Sequence, residues 1–343
     1  MNYIWNMDLL NKITKNGKNV FSCFSCGGGS SMGYKLAGYT VLGNCEIDPK
    51  INAMYVKNHH PKYNYEMGVQ DLYKRNDIPE ELYNIDILDG TPPCSTFSMA
   101  GAREDNWGKM KKFREGQAEQ ILDDLFFEFL NVAEMLKPKV IVAENVKGLI
   151  GGNAKGYVNL IVKRYNELGY DVQIFCINAA TMGVPQKRER VFIIGRRKDL
   201  GLPPLKLSFN QKPITYGEFA DDNYKPLNPD SMTYQRWLKR KPMDDSIGDT
   251  VARTENGKLS GFTAPYIKLN KVANTLTAGG GMIRYDVPGN PSERDILAIS
   301  TFPQDYDFNG NDATYVCGMS VPPLMMYGIA NEINKQWFER GEA

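Results

Sequence analysis

Four short segments combine residue types that do chemistry with spacings that would present them. In Thr91-Pro92-Pro93-Cys94-Ser95-Thr96-Phe97-Ser98, two prolines fix the backbone ahead of a cysteine and remove donors, so the thiol is held out rigidly, as a nucleophile needs. In Ala143-Glu144-Asn145-Val146, an apolar run delivers a carboxyl to the end of a strand, where burial demands a partner or a raised pKa. In Gln186-Lys187-Arg188-Glu189-Arg190, strand alternation puts Arg188 and Arg190 on one face, two guanidinia able to clamp a carbonyl and a phosphate. In Phe24-Ser25-Cys26-Gly27-Gly28-Gly29-Ser30-Ser31-Met32-Gly33, the glycines let a ligand approach the backbone, and the helix that follows offers its first N–H groups to an anionic group. Each segment alone has a plain alternative: a cysteine serving as a small buried hydrophobe, a helix-capping acid, a charged edge strand, an empty tight turn.

Two acids extend the glycine turn. Glu46 lies 17 residues beyond Gly29, at the end of the next strand, where a carboxylate can accept both ribose hydroxyls of a nucleoside cofactor. Asp71 would receive an adenine amino group from the end of a third strand. The glycine pattern is not GxGxxG, which disfavours a dinucleotide. After Cys94, the polar stretch Gly101–Gly116 carries Arg103, Trp107, Lys109, Lys111, Lys112 and Arg114, a composition suited to a lid closing on a phosphate-bearing substrate.

These segments need a scaffold that brings strand ends together, and the pattern supplies one. Lys18–Ser25, Thr40–Asp48, Tyr83–Leu88, Val140–Ala143, Val172–Ile177 and Val191–Gly195 read as strands. Helices are expected over Met32–Ala37, over Gln117–Lys137 and over Leu324–Phe338; in the second, Ile121, Leu122, Leu125, Phe126, Phe129, Leu130 and Ala133 recur at helical spacing before Pro138. Strands alternating with helices predict an α/β fold with a mostly parallel sheet covered on both faces, and active sites at the strand ends. From Leu202 to Lys271 turns and scattered charge replace any sustained period, the mark of an insertion or small second domain.

Composition narrows the classes. A chain of 343 residues with 42% hydrophobic and 24% charged residues is long enough for two domains and is not disordered. No run approaches the roughly 20 apolar residues of a bilayer span, and the N-terminus lacks a signal-peptide core, so the expectation is a cytoplasmic protein with no membrane contact. Six cysteines at positions 23, 26, 45, 94, 176 and 317 do not form a disulfide framework for a chain of this size. The two histidines are adjacent, His59 and His60, which argues against a Ser-His-Asp hydrolase or a multi-histidine metal site. Residues 186–271 hold 17 Lys and Arg against 10 Asp and Glu in a chain of net charge +1, so one part of an otherwise acidic protein is built to meet a polyanion or is simply a solvated surface.

Taken in order, the segments resemble the C5-cytosine DNA methyltransferase family over nearly the whole chain. The run from Phe24 to Gly33 is similar to that family's S-adenosylmethionine turn, Glu46 with Ile47 to its ribose-binding acid, and Asp71-Leu72 to its adenine contact. Pro92-Pro93-Cys94 resembles the nucleophile loop, Glu144-Asn145-Val146 the ENV motif and Gln186–Arg190 the QxRxR motif. Asn274-Thr275-Leu276-Thr277-Ala278 resembles the segment after the target recognition domain, and Gly318-Met319-Ser320-Val321-Pro322-Pro323 the GNxVPP stretch before the last helix. Three positions depart from the family pattern. Cys26 stands where glycine is usual, Ser95 follows the nucleophile in place of glutamine, and Met319-Ser320 replaces an Asn-Ala type pair, removing one contact to the methionine end of the cofactor.

The resemblance implies a Rossmann-like S-adenosylmethionine-dependent fold, residues 1–198 and 272–343 forming the catalytic and cofactor-binding domain and 199–271 a smaller target recognition domain. It implies Cys94, Glu144, Arg188 and Arg190 as catalytic residues and Phe24, Ser25, Cys26, Gly28, Gly29, Glu46, Ile47, Asp71, Leu72, Pro93 and Ser320 as cofactor contacts, with no metal. Cytosine C5 is a weak nucleophile; thiolate addition at C6 makes it enamine-like, which is the family's covalent route. Cys94 would supply that thiolate to a base flipped from duplex DNA. Glu144 would bond N3 and the exocyclic amine, Arg190 would hold O2, and Arg188 would orient the nucleotide or the thiolate loop. The product would be S-adenosylhomocysteine, and the protein a monomer in a bacterial or phage-infected cytoplasm, with a restriction endonuclease acting separately. Methylation of RNA by the same chemistry and an inactive DNA-binding relative are the competing readings. The insertion of about 70 residues favours DNA, since loops must reach base edges, and the full set of chemical residues favours activity.

Overall fold

The computed structural model describes residues 1–93, 110–111, 120–121, 124–151, 154–255 and 263–339. Seven strands form one sheet: β1 (Asn19–Cys23), β2 (Thr40–Cys45), β3 (Tyr63–Tyr65), β4 (Ile87–Gly90), β5 (Val140–Val146), β6 (Tyr170–Asn178) and β7 (Glu189–Arg197). Their order is β3-β2-β1-β4-β5-β7-β6, parallel from β3 to β5, with β7 antiparallel to both neighbours. Helices α1 (Gly29–Leu36), α2 (Pro49–His59), α3 (Leu125–Leu136), α4 (Lys155–Glu167), α5 (Glu293–Ser300), α6 (Ala313–Met319) and α7 (Pro323–Ile333) surround it.

Two apolar layers account for the continuous hydrophobic runs. Val20, Ile87, Val140, Val142 and Phe192 face Met32 of α1 and Met326 and Ile329 of α7, while Phe21, Leu88, Ile141 and Ile193 face Phe129 and Leu130 of α3 and Ile161 of α4. A strand covered on both faces gains from apolar residues at every position. The chain runs outward from β1 to β3 and then returns to β4 on the other side of β1. The β1–β4 boundary is therefore the switch point beyond whose carboxyl ends open α/β sheets take their ligands.

Three expected elements differ. Residues 80–84 form a 3-10 turn, and the strand expected over Tyr83–Leu88 runs instead from Ile87 to Gly90, where the ladders to β1 and β5 hold it. The helix expected from Gln117 starts at Leu125, because Gln120–Ile121 pairs antiparallel with Met110–Lys111, a partner invisible to helical periodicity. It ends as expected, Lys137 adopting the left-handed φ of +49° before Pro138. Asp71 does not end the third strand; it lies in the single turn Val69–Leu72, because β3 stops where its pairing with β2 stops, at Tyr65.

A third, smaller apolar cluster joins Trp237, Ile247, Val251, Tyr266 and Ile283. Helices Met232–Leu238 and Ile247–Thr254 contribute to it, and strand Tyr266–Ile267 pairs with Ile283–Arg284. Strand Tyr224–Pro226 pairs with Gly289–Pro291, so this unit draws on residues to either side of Lys271. Asp295 at the start of α5 is fully buried and accepts from Tyr216 Oη at 2.8 Å and from the Asp221 N–H at 2.9 Å. Among the described residues, no helix is long and apolar enough to cross a membrane.

Candidate active site at the carboxyl end of the sheet

Beyond β1 the backbone turns through left-handed conformations at Phe24 (φ +53°), Cys26 (φ +44°) and Gly28 (φ +69°). Cys26 therefore adopts, with a Cβ, the conformation glycine reaches freely. Two contacts hold it: its N–H donates to Glu46 Oε2 at 3.0 Å, and Ser320 Oγ donates to its Sγ at 3.7 Å. Its thiol is pushed up to about 12, first by burial and then by Glu46. A Cβ at Gly28 would overlap the His59 imidazole, and one at Gly29 would overlap the Val321 carbonyl. The turn is thus clamped between α2 and the segment ahead of α7.

Glu46, 8% exposed, follows β2 directly, with one oxygen on Cys26 N–H and the other on Asp48 N–H, each at 3.0 Å. Burial raises its pKa, and those backbone donors oppose the rise. Each carboxylate oxygen keeps acceptor capacity for a further donor. Ile47 beside it is half-buried and Leu72 fully buried, whereas the Asp71 carboxylate is exposed and sits 3.7 Å from Lys74 Nζ.

The segment after β4 is tied on both sides. Thr91 Oγ1 donates to the Phe24 carbonyl at 3.0 Å, and Asn145 Nδ2 donates to the Pro92 carbonyl at 3.1 Å. Pro93 is half-buried and leads into Cys94. Cys94 and the cations Arg103, Lys109, Lys112 and Arg114 lie outside the described residues.

Glu144 and Arg190 meet on the neighbouring strands, Arg190 Nε standing 3.0 Å from Glu144 Oε1. Burial holds the Glu144 carboxyl above its ordinary range, opposed by Arg190 and then Arg188. Arg188 is held by backbone carbonyls. It is 2% exposed, and its guanidinium donates to the carbonyls of Leu276 (2.9 Å), Gly318 (2.9 Å) and Ser320 (3.0 Å). Gln186 acts beside it, donating to the Ile299 carbonyl and accepting from the Leu276 N–H. The alternation was legible in the sequence; the carbonyls that capture Arg188 lie 88 to 132 residues away and were not.

Phe24, Ser25, Cys26, Gly29, Ser30, Thr91, Met319, Ser320 and Val321 line a narrow cleft between the glycine turn and α6, with Ser22 and Asp89 also bordering it. Ser30 Oγ is buried there without a hydrogen-bond partner. Asp89 went unassigned from the sequence, although one carboxyl inside the apolar strand Ile87–Gly90 was a signal. His59 was set aside for chemistry, and it is buried against the turn, its imidazole kept neutral by burial.

The C-5 cytosine-specific DNA methylase model matches residues 18–335. The Fusobacterium nucleatum type II methyltransferase M.FnuDI is 34% identical over 92% of this chain and 94% of its own length. The Neisseria gonorrhoeae type II methyltransferase M.NgoPII is 29% identical over 94% and 97%. Among solved structures, a protein encoded within an E. coli prophage superposes with a TM-score of 0.65 at 20% identity, over 93% of this chain and 99% of that one. The chain belongs to the C-5 cytosine-specific DNA methylase family.

Proposed function

We propose that this protein methylates cytosine C5 in a specific sequence of duplex DNA, using S-adenosylmethionine and a transient bond from Cys94 to C6 of the base. The observation that carries this reading is the buried Glu144–Arg190 pair, set on the strand that adjoins the Pro92-Pro93 segment. The residues fit the cofactor: a glycine turn with no room for a side chain, a buried carboxylate at Glu46 bonded to that turn and keeping acceptor capacity, and an unpartnered buried hydroxyl at Ser30. Phe24, Ser25, Cys26, Gly28, Gly29, Glu46, Ile47, Leu72, Pro93 and Ser320 would hold it, and Asp71 would reach its adenine edge only from the exposed turn. When bound there, S-adenosylmethionine supplies a methyl group activated by its sulfonium.

The chain's own residues do the rest. The Cys94 thiolate forms a bond to C6, and the C5–C6 π pair becomes the nucleophile at C5. Glu144, protonated, donates to N3 while accepting from the exocyclic amine, and Arg190 holds O2, so charge pushed into the ring meets fixed partners. After C5 is methylated, its proton goes to water or phosphate and the S–C6 bond breaks. Arg188 is a positioning residue: it fastens β7 to the Leu276 and Gly318–Ser320 carbonyls. The unit around Trp237 and the basic residues 186–271 meet the phosphates and bases of a flipped-out duplex. S-adenosylhomocysteine is the product, and a separate endonuclease fits the type II names of the relatives.

Labelled methyl incorporation into duplex DNA and into transfer RNA tests the reading. Incorporation into DNA alone, abolished in Cys94→Ala with DNA binding retained, is expected; RNA as the sole acceptor contradicts it.

A further inference from the structure

Asp89 has no part in the chemistry above, yet it stands between the two halves of the site. On β4 it lies in register with Ser22 of β1 and Val142 of β5, which puts it on the face that carries Glu144 two residues further along β5. It is 1% exposed and borders the cleft with the glycine turn. Its oxygens accept from Ser22 Oγ at 3.0 Å and Tyr34 Oη at 3.3 Å, both neutral donors. The groups facing it are Ser22 and Cys23 from β1, Ser30 and Tyr34 from α1, Tyr55 from α2 and Glu144 from β5. Among the described residues, none of those groups is a cation, the nearest guanidinia being committed to Glu144 and to backbone carbonyls. A carboxyl buried with neutral donors and a second acid is held protonated, its pKa raised to about 7 by burial.

Along the sheet edge the order is Glu46 on β2, the glycine turn on β1, Asp89 on β4 and Glu144 on β5. Strands lie about 4.8 Å apart; with the adenine toward the Val69–Leu72 turn and the ribose at Glu46, the 5′ substituent would run the other way, across β1 toward β4. Cationic groups on that substituent would then meet an acid that has no cationic partner among the described residues. We propose that Asp89 is a cofactor-binding residue that receives a cationic group of the 5′ substituent of S-adenosylmethionine, its α-ammonium or its sulfonium. The inference rests on the cofactor reading above. It gives the substituent a charged partner in the cleft that Met319 also lines. The arriving cation favours the carboxylate, so Asp89 releases its proton as the cofactor binds.

Isothermal titration of the wild-type protein at pH 6, in two buffers of different ionisation enthalpy, tests this without any substitution. At that pH an α-ammonium stays charged, and a carboxyl of pKa about 7 starts protonated. Release approaching one proton per S-adenosylmethionine is expected, and none with 5′-methylthioadenosine, which lacks both cations. Asp89→Asn should weaken S-adenosylmethionine about tenfold at pH 8 and leave 5′-methylthioadenosine unchanged. A loss shared by S-adenosylhomocysteine assigns the ammonium, and one confined to S-adenosylmethionine assigns the sulfonium; both uphold the proposal. Binding without proton release, or equal weakening of all three ligands, overturns it. Failure of the wild-type protein to bind S-adenosylmethionine at all overturns the cofactor reading instead.

Discussion

Glu144 and Arg190 form an ion pair across the antiparallel β5–β7 ladder, Nε to Oε1 at 3.0 Å, with side chains only 11% and 14% exposed. Such a pair contributes little net stability, but removing one partner strands the other in a place it cannot be solvated. Arg190→Ala should therefore cost about 3 kcal/mol in urea unfolding, and Arg190→Ala with Glu144→Gln should cost clearly less than the sum of the two single changes. Additive costs would mean that the pair is not coupled.

Glu144→Gln keeps the shape and a donor but cannot supply a proton. It should lower kcat by about a hundredfold or more, with the KM for cofactor changed by less than about threefold. Because burial raises the Glu144 pKa, its protonated form persists to higher pH, and wild-type activity should fall on the alkaline side as that proton is lost. A fall in kcat matched by an equal rise in cofactor KM would place Glu144 in binding instead.

Asp89 carries a pH signature in the apo protein. Its folded pKa of about 7 lies above the ordinary 3.8, so the folded state holds a proton that the unfolded state has already lost between those values. The stability this contributes is fully present below pH 4 and is lost as pH rises toward 7, about 4 kcal/mol in all. Denaturant unfolding across that range should show wild type losing ground against Asp89→Asn by roughly this amount. Parallel pH profiles for the two proteins would show that the carboxyl is ionised throughout.

Gly28 and Gly17 both have positive φ, +69° and +74°, but only Gly28 has a neighbour in the way. Gly17→Ala should cost about 1 kcal/mol of backbone strain. Gly28→Ala should cost about 3 kcal/mol, because strain adds to overlap with His59. Equal costs would show that the imidazole gives way.

Much of this site was written in local sequence. The apolar runs of β1, β2, β5 and β7 placed Cys26, Glu46, Glu144 and Arg190 at strand ends, since a strand buried on both faces leaves little choice of register. What local pattern could not carry was pairing at a distance. The carbonyls of Leu276, Gly318 and Ser320 that hold Arg188 lie far along the chain from it. Gln120–Ile121 fits a helix until Met110–Lys111 pairs with it. Asp71 was placed by counting from a strand whose end depends on how far β2 can pair with it. Asp89 needed the neighbouring strands to show that it faces the same side as Glu144.

The most direct test is to incubate the protein with S-adenosylmethionine and a duplex carrying 5-fluorocytosine at its target site, then separate the products under denaturing conditions. Fluorine cannot leave C5 as the proton does, so a DNA-linked protein band should accumulate, with Cys94 recovered as the modified residue, and should vanish in Cys94→Ala. An intact protein that methylates ordinary duplex yet forms no such band would contradict the covalent account.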